Sequence, residues 1–268
     1  METGTDKIDF ELSEQGIARL VFKKSESHNA FDDDMIQGLR RVFDDLGARN
    51  DVRVLIFEGQ GKSFCAGADV KWMARSAEFS PDENMEDARA LADMLNKLYH
   101  LPQLTIASVQ GMALGGGLGI VACCDIVLAE RHAIFALPEV KLGLIPATIA
   151  PYVMKAIGLR QARRYFQTGE KFTAQRALDL GLVHDLGEDM DEIGDLLDGI
   201  TNNFLKNGPR AVREAKRLCL DIEGIVIDEE LMKETASRLA VIRSGKEAKT
   251  GLKAFLNKEK PDFLSRDD

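Results

Sequence analysis

The stretch GMALGGGLG, residues 111–119, joins a run of three glycines to an apolar continuation. It follows the apolar run LTIASV at residues 104–109, which we predict to be a buried strand. A glycine turn that leads from a strand into a helix exposes backbone N–H groups at the positive end of the helix dipole. Such a turn is suited to hold an oxyanion, and the same glycines also permit close packing of the helix on the strand. The residues alone leave both interpretations open.

A second candidate is the segment FALPEV at residues 135–140, where Glu139 follows Pro138 in an otherwise apolar run. A carboxyl group in apolar surroundings has a raised pKa, which suits proton transfer near neutral pH. The alternative is a glutamate in the first turn of a helix that begins at Pro138. Taken by itself, this segment favours the second interpretation.

A third candidate is SFCAGAD at residues 63–69, after a predicted strand at residues 52–57. The small residues at positions 66–68 let the backbone approach a ligand closely, so that their N–H groups are able to cradle an anion. A tight turn between strand and helix explains the same residues and is the simpler interpretation.

The segments around these motifs alternate between strand and helix. We predict a hairpin at residues 8–12 and 17–22, helices at 32–48 and 82–100, and strands at 52–57, 104–109 and 125–129. This order favours an α/β protein with parallel strands, wound as a layered coil. Further helices are predicted at residues 173–181, 189–206, 209–221, 228–243 and 245–256. The last three carry more apolar surface than they are able to bury alone, which favours an oligomer interface.

The composition restricts the class of protein. A formal net charge of −9 makes a nucleic-acid or anionic-membrane partner a poor expectation. The four cysteines fit neither a disulfide framework nor a zinc site, and the histidines show no metal-ligand spacing. The N-terminal residues lack the pattern of a secretory signal, and no apolar run has the length of a membrane span. We therefore expect a cytoplasmic protein without a bound metal.

In this order, the three motifs resemble those of the crotonase (enoyl-CoA hydratase/isomerase) superfamily. The resemblance extends from HNAF at residues 28–31 to FLNKEK at residues 255–260. It implies a right-handed spiral of ββα turns over residues 1–200, which holds the coenzyme A (CoA) site and the active site. It also implies a C-terminal helical trimerisation region over residues 201–268, and homotrimers that often pair into hexamers.

The resemblance also assigns site residues. It implies that the N–H groups of Ala68 and Gly116 bind the thioester oxygen and that Glu139 is the catalytic acid/base. It places CoA and the rest of the substrate against a larger set of residues: Ser27, His28, Ala30, Ala66, Asp69, Val70, Gly115, Gly119 and Pro138. No cofactor is implied, because the CoA moiety belongs to the acyl-CoA thioester substrate.

Two departures from the family pattern bear on the reaction. Many enoyl-CoA hydratases carry a first catalytic glutamate at the position of Gly119, and the usual glycine-rich stretch after Pro146 is ATIAP at residues 147–151. With KWM at 71–73 and ARRY at 162–165, this variant resembles methylglutaconyl-CoA and isohexenylglutaconyl-CoA hydratases, which act in leucine and acyclic terpene degradation. We therefore expect a hydratase.

The leading alternative is a Δ3,Δ2-enoyl-CoA isomerase that uses Glu139 alone. A non-catalytic CoA-binding or RNA-binding relative is less favoured, and the predicted helix at residues 32–49 contains no lysine for RNA contacts.

Overall fold

The computed structural model describes residues 3–264, so the outermost residues of the predicted regions 1–200 and 201–268 lie outside it. The described chain divides into two compact units, with the boundary between Leu197 and Asp198. The predicted assignment of active site and trimerisation region to the two parts stays a prediction.

The main sheet of the first unit has six strands. They are β1 (Ile8–Leu12), β2 (Ile17–Phe22), β3 (Val54–Gly59), β4 (Leu104–Val109), β6 (Ile126–Glu130) and β9 (Asp185–Gly187), in the order β1-β2-β3-β4-β6-β9. The hairpin β1–β2 is antiparallel, and every later pair is parallel. Strands β3 and β4 are apolar and almost wholly buried, as is typical of parallel sheets covered on both faces.

A second, smaller sheet is formed by short strands that follow those of the main sheet along the chain. It consists of β5 (Met112–Leu114), β7 (Ile134–Ala136) and β8 (Lys171–Thr173), with β5 parallel to β7 and β8 antiparallel to it. Isolated parallel bridges join Phe31 to Ala68 and Cys65 to Ala113. Each turn therefore passes through a strand of the main sheet and a short extended segment before it enters a helix, which is the predicted ββα spiral.

Six helices belong to these turns. They are α1 (Asp33–Ala48), α2 (Val70–Ser76), α3 (Pro81–Tyr99), α4 (Gly116–Cys123), α5 (Ala150–Thr168) and α6 (Ala174–Asp179), with a 3-10 helix at Pro138–Leu142. A seventh, α7 (Met190–Phe204), contains the boundary residues Leu197 and Asp198. The sequence determines where α1 and α3 begin, because Asp32 accepts a hydrogen bond from the Met35 N–H and Ser80 forms a capping box with Glu83. Helix α4 is almost wholly buried, as its apolar sequence predicts.

The second unit contains α8 (Pro209–Ile222), α9 (Glu229–Ser244) and α10 (Lys246–Asn257). The Glu247 carboxylate accepts hydrogen bonds from the N–H groups of Arg210 and Ala211, where it stabilises the first turn of α8. Several large apolar side chains of this unit are mostly exposed: Ile225, Val226, Ile227, Met232, Leu239, Val241, Leu252, Phe255 and Leu256.

The helices and strands predicted with bounds lie within one or two residues of the observed ones, but helix α5, strand β9 and the three strands of the small sheet were missed. Four of these missed elements are strands. Each of these four has three residues, which is too short to show a period. Within residues 3–264, no helix is both long and apolar enough to cross a membrane.

Candidate active site

The small sheet brings two of the predicted motifs together. Leu114 pairs with Ala136 in the parallel ladder, so the residues that follow β5 and β7 leave the sheet at the same edge. The Gly115 N–H donates a hydrogen bond of 2.9 Å to the Ala136 carbonyl. Glu139 lies three residues past Ala136 and therefore comes close to the glycine turn.

The glycine turn is the start of helix α4. Gly115 is the N-cap residue and has φ of 50°, a left-handed value that favours glycine. Gly116 is the first helical residue, and its N–H has no hydrogen-bond acceptor among residues 3–264. A Cβ atom on Gly116 would lie 2.9 Å from Cε1 of the buried Phe31. The phenyl ring therefore requires glycine here.

The N–H group of Ala68 is oriented by the hydrogen bonds of the residues on either side of it. Phe31 donates to the Gly67 carbonyl and accepts from the Asp69 N–H, each at 2.9 Å, so the N–H of Ala68 between them points away from Phe31. On that other side the segment pairs with β5, because the Leu114 N–H donates to the Cys65 carbonyl at 3.0 Å. In the described part of the chain, the Ala68 N–H also lacks an acceptor.

Glu139 is half-buried in the first turn of the 3-10 helix Pro138–Leu142. A Cβ atom on Gly115 would lie 3.0 Å from Oε1 of Glu139, so the carboxylate lies directly against the glycine turn. Its Oε2 is buried without a hydrogen-bond partner among the described residues. Burial raises the pKa of this carboxyl group, and a hydrogen bond from its own backbone N–H offsets only part of that effect.

Gly119 lies one turn along α4, where its N–H donates to the Gly115 carbonyl at 3.0 Å. A Cβ atom at this position would lie 2.9 Å from the Cβ of Ile149 and closer still to its Cγ2. Ile149 is the N-cap residue of α5 and is 2% exposed. Its side chain occupies the space that any side chain at position 119 would need. The sequence alone indicates no role for Ile149, although it lies in the segment 147–151 that departs from the family pattern.

Four predicted CoA-binding residues lie close together just before Phe31 and on the segment that pairs with it: Ser27, His28, Ala30 and Ala66. The His28 carbonyl accepts from the Ala66 N–H at 2.9 Å, and the Ala30 N–H donates to the Ser27 carbonyl at 3.1 Å. The His28 ring is exposed and its Nδ1 lies 3.0 Å from Ser63 Oγ. These four residues do not contact Glu139 through any hydrogen bond of residues 3–264.

Asp69 and Val70 lie where helix α2 begins. The Asp69 carboxylate accepts from the N–H groups of Lys71 and Trp72 and is 3.1 Å from Lys24 Nζ. Burial opposes ionisation of Asp69, but these hydrogen bonds outweigh it and lower the pKa. Lys24 also contacts Asp32, the N-cap of α1, so one ammonium group links the first residues of two helices. The Val70 side chain is 74% exposed.

This arrangement suits charge stabilisation and proton transfer. The N–H groups of Ala68 and Gly116 have no acceptor among residues 3–264, and a single carboxylate of raised pKa lies against Gly115. Within residues 3–264, no group of three or more His, Cys, Asp or Glu side chains is placed to hold a metal ion.

Comparison with known proteins identifies the same family as the motifs. A family model described as Enoyl-CoA hydratase/isomerase matches residues 13–266, and the chain therefore belongs to this family. Among proteins of known sequence it is similar to the enoyl-CoA isomerase/hydratase fer4 of Mycosarcoma maydis, with 31% identity over 94% of this chain and 93% of the relative.

Two solved structures are similar over almost their whole length. An enoyl-CoA hydratase from Shewanella pealeana is 40% identical, with a TM-score of 0.91 over 95% of each chain. Pseudomonas aeruginosa AtuE is 33% identical, with a TM-score of 0.92 over 97% of this chain and 100% of that one. The α/β spiral predicted from the sequence is confirmed.

Proposed function

We propose that the protein is an enoyl-CoA hydratase that adds water across the 2,3-double bond of an enoyl-CoA thioester. The observation that supports this most directly is the Glu139 carboxylate, which lies against Gly115 with an oxygen that has no partner among residues 3–264. Next to it begins the helix whose first N–H group, that of Gly116, is available to an acceptor.

In this proposal, the N–H groups of Ala68 and Gly116 bind the thioester oxygen and hold it more tightly as it gains negative charge. Glu139 takes a proton from water while the water oxygen bonds to C3. The electron pair of the double bond then moves into the thioester enolate. The Glu139 acid returns a proton to C2, which gives the 3-hydroxyacyl-CoA and restores the carboxylate.

The remaining residues of the set bind the substrate around this centre. Ser27, His28, Ala30 and Ala66 contact the CoA moiety, and Asp69 and Val70 flank its path at the start of α2. Gly115, Gly119 and Pro138 surround the acyl group next to Glu139. Because CoA arrives with the substrate, the reaction uses no further cofactor.

The acyl group that we propose resembles 3-methylglutaconyl-CoA. The support is the segment ATIAP at residues 147–151 together with KWM at 71–73, the sequence features shared with that branch of hydratases. A substrate of this kind places a second carboxylate in the pocket.

A spectrophotometric panel tests the reaction and the substrate together. The panel contains crotonyl-CoA, 3-methylglutaconyl-CoA and a 3-enoyl-CoA, and the absorbance of the conjugated enoyl thioester is followed. We expect this absorbance to fall fastest with 3-methylglutaconyl-CoA. No change with any of the three would contradict the proposed function.

The second candidate is a Δ3,Δ2-enoyl-CoA isomerase. The observation that favours it is the apolar Ile149 side chain over Gly119, because isomerisation needs one carboxylate and no water. Absorbance that rises with the 3-enoyl-CoA, without hydration of the other two compounds, would establish this alternative.

We also propose that the protein assembles as a homotrimer or as a pair of trimers. The support is the exposed apolar surface of the second unit, where Val226, Ile227 and Phe255 are more than three-quarters exposed, at 76%, 83% and 79%. Light scattering coupled to size-exclusion chromatography gives the mass directly, and a monomer at micromolar concentration would contradict the proposal.

A further inference from the structure

Gly115, the N-cap residue of α4, and Gly119 within the helix are each covered by a different side chain. Gly115 and Gly119 are joined by a helical hydrogen bond, which separates them by about 5–6 Å along the helix. Oε1 of Glu139 lies against the first glycine, and Ile149 lies against the second. The carboxylate and the isoleucine therefore lie against glycines that are one helical turn apart.

Ile149 is held firmly in this place. It is buried to 2% exposure, it is the N-cap residue of α5, and its carbonyl accepts hydrogen bonds from Tyr152 and Val153 at 3.2 and 3.1 Å. The start of α5 thus fixes its backbone while α4 fixes its side chain.

We propose that Ile149 is a positioning residue of the active site. Its side chain closes the Gly119 side of the pocket and keeps the Glu139 carboxylate against Gly115, so that one carboxylate carries out both proton transfers. This inference rests on the proposed use of Glu139 and adds to it the residue that shapes its surroundings.

The surroundings of Glu139 support this role because no charged neighbour accounts for its raised pKa, which is caused by burial. The 3-10 helix that bears Glu139 packs against α5, and its neighbour Gly115 begins α4. The ionisable groups on these three elements are Lys141 on the 3-10 helix, Tyr152, Lys155, Arg160, Arg163, Arg164 and Tyr165 on α5, and Cys123 at the other end of α4. If Ile149 contributes to this burial, a substitution at position 149 changes the pKa of Glu139 without adding or removing a charge.

The test compares Ile149→Ala with Ile149→Val. Valine keeps the β-branched methyl group that covers Gly119, whereas alanine removes it and admits water beside the carboxylate. For Ile149→Ala we expect kcat to fall about tenfold with KM within about twofold, and the acidic limb of the kcat profile to move to lower pH. For Ile149→Val we expect kcat and the pH profile of the wild-type protein.

A second pair keeps the test decisive if Ile149→Ala does not fold. Ile149→Thr has nearly the shape of Ile149→Val and differs by a hydroxyl group in place of a methyl group. We expect the threonine variant alone to show the lower acidic limb. Identical pH profiles for the folded variants and the wild type would overturn the inference.

The kinetic results distinguish failure of this inference from failure of the proposed function. If the wild type hydrates enoyl-CoA and Glu139→Gln does not, while the Ile149 variants behave as wild type, the function stands and the positioning role is wrong. If Glu139→Gln remains active, the proposed function itself is wrong, whatever the Ile149 variants do.

Discussion

The two halves of the candidate site are built from different parts of the polypeptide. One half consists of backbone N–H groups at Ala68 and Gly116, fixed by a bridge to Phe31 and by a glycine turn. The other half is a single side chain, Glu139, on a short 3-10 helix. In the first half the identity of the side chain matters only through its size, whereas in the second its chemistry is essential. The first half should therefore be sensitive to added side-chain volume, and the second to loss of the ionisable group.

Glu139→Gln gives the largest expected effect, because it keeps the shape of the side chain and removes the proton acceptor. We expect kcat to fall by roughly 10²–10⁴-fold without loss of folded protein. Initial rates on the preferred enoyl-CoA, with thermal melting as a check of folding, measure this. The matched control is Glu58→Gln, which removes a carboxylate that pairs with Arg19 on the main sheet and should leave kcat unchanged. Activity above about a tenth of wild type in Glu139→Gln would remove the side-chain half of the comparison.

Gly116→Ala should have the next largest effect, although it changes no functional group. Its added methyl group meets the Phe31 ring and displaces the N–H group that we propose binds the thioester oxygen. A displacement of about 1 Å lowers kcat by roughly 10²-fold. Steady-state kinetics checks this, and wild-type kcat in a folded Gly116→Ala protein would show that the backbone half is not rigid.

The pH dependence of kcat distinguishes the side-chain half from the backbone half, since the backbone donors do not titrate. Burial raises the pKa of Glu139 above the ordinary value of a glutamate, and the proposed hydration requires the ionised form. We therefore expect kcat to be constant above this raised pKa and to fall about tenfold per pH unit below it. A kcat profile with an acidic limb at or below the ordinary pKa of glutamate would contradict the buried position of the carboxylate.

Lys24→Met should act on stability, through the region that supports the backbone half. Lys24 contacts Asp32 and Asp69, and the pKa values of both carboxyl groups are lowered in the folded protein. Groups of lowered pKa stabilise the fold above their unfolded pKa, and this contribution is lost as the pH falls through the folded value. We expect Lys24→Met to reduce the free energy of unfolding by about 1–3 kcal/mol at pH 7 and by less at pH 3. Urea unfolding at both pH values measures this, and an equal loss at the two would refute the ionic explanation.

Gly47→Ala gives the smallest effect and is the control for all glycine substitutions. A Cβ atom at this exposed position of α1 has no neighbour within 4 Å. Alanine should stabilise the helix by up to about 1 kcal/mol and leave kcat unchanged. A loss of activity in Gly47→Ala would show that glycine substitutions affect this fold in general, and the interpretation of Gly116→Ala would then fail.

The sequence predicted the backbone half better in outline than in detail. The glycine turn after β4 and the helix α4 followed from the glycine run and the apolar stretch after it, but the three-residue strands β5 and β7 did not. Their extended form depends on pairing between Leu114 and Ala136, which no local pattern encodes. Without that pairing, nothing in the residues brings Glu139 to Gly115.

For the side-chain half, the family resemblance indicated Glu139, and the residue pattern alone favoured a simple helix start. Both descriptions apply, because Pro138 begins a 3-10 helix and Glu139 lies in its first turn. Ile149 and Phe31 escaped prediction because their importance lies in contacts with glycines distant in the sequence. A glycine signals that a side chain is excluded, but it does not say which neighbour excludes it.

The contact between Gly119 and Ile149 also constrains how this protein is able to evolve. A larger residue at position 119 collides with Ile149, and loss of the isoleucine side chain while Gly119 remains leaves an unfilled space beside α4. A larger residue at position 119 alone, or loss of most of the isoleucine side chain alone, is therefore expected to be harmful. A lineage that acquires a second carboxylate here must pass through a less fit intermediate, and this epistasis tends to preserve the one-carboxylate form.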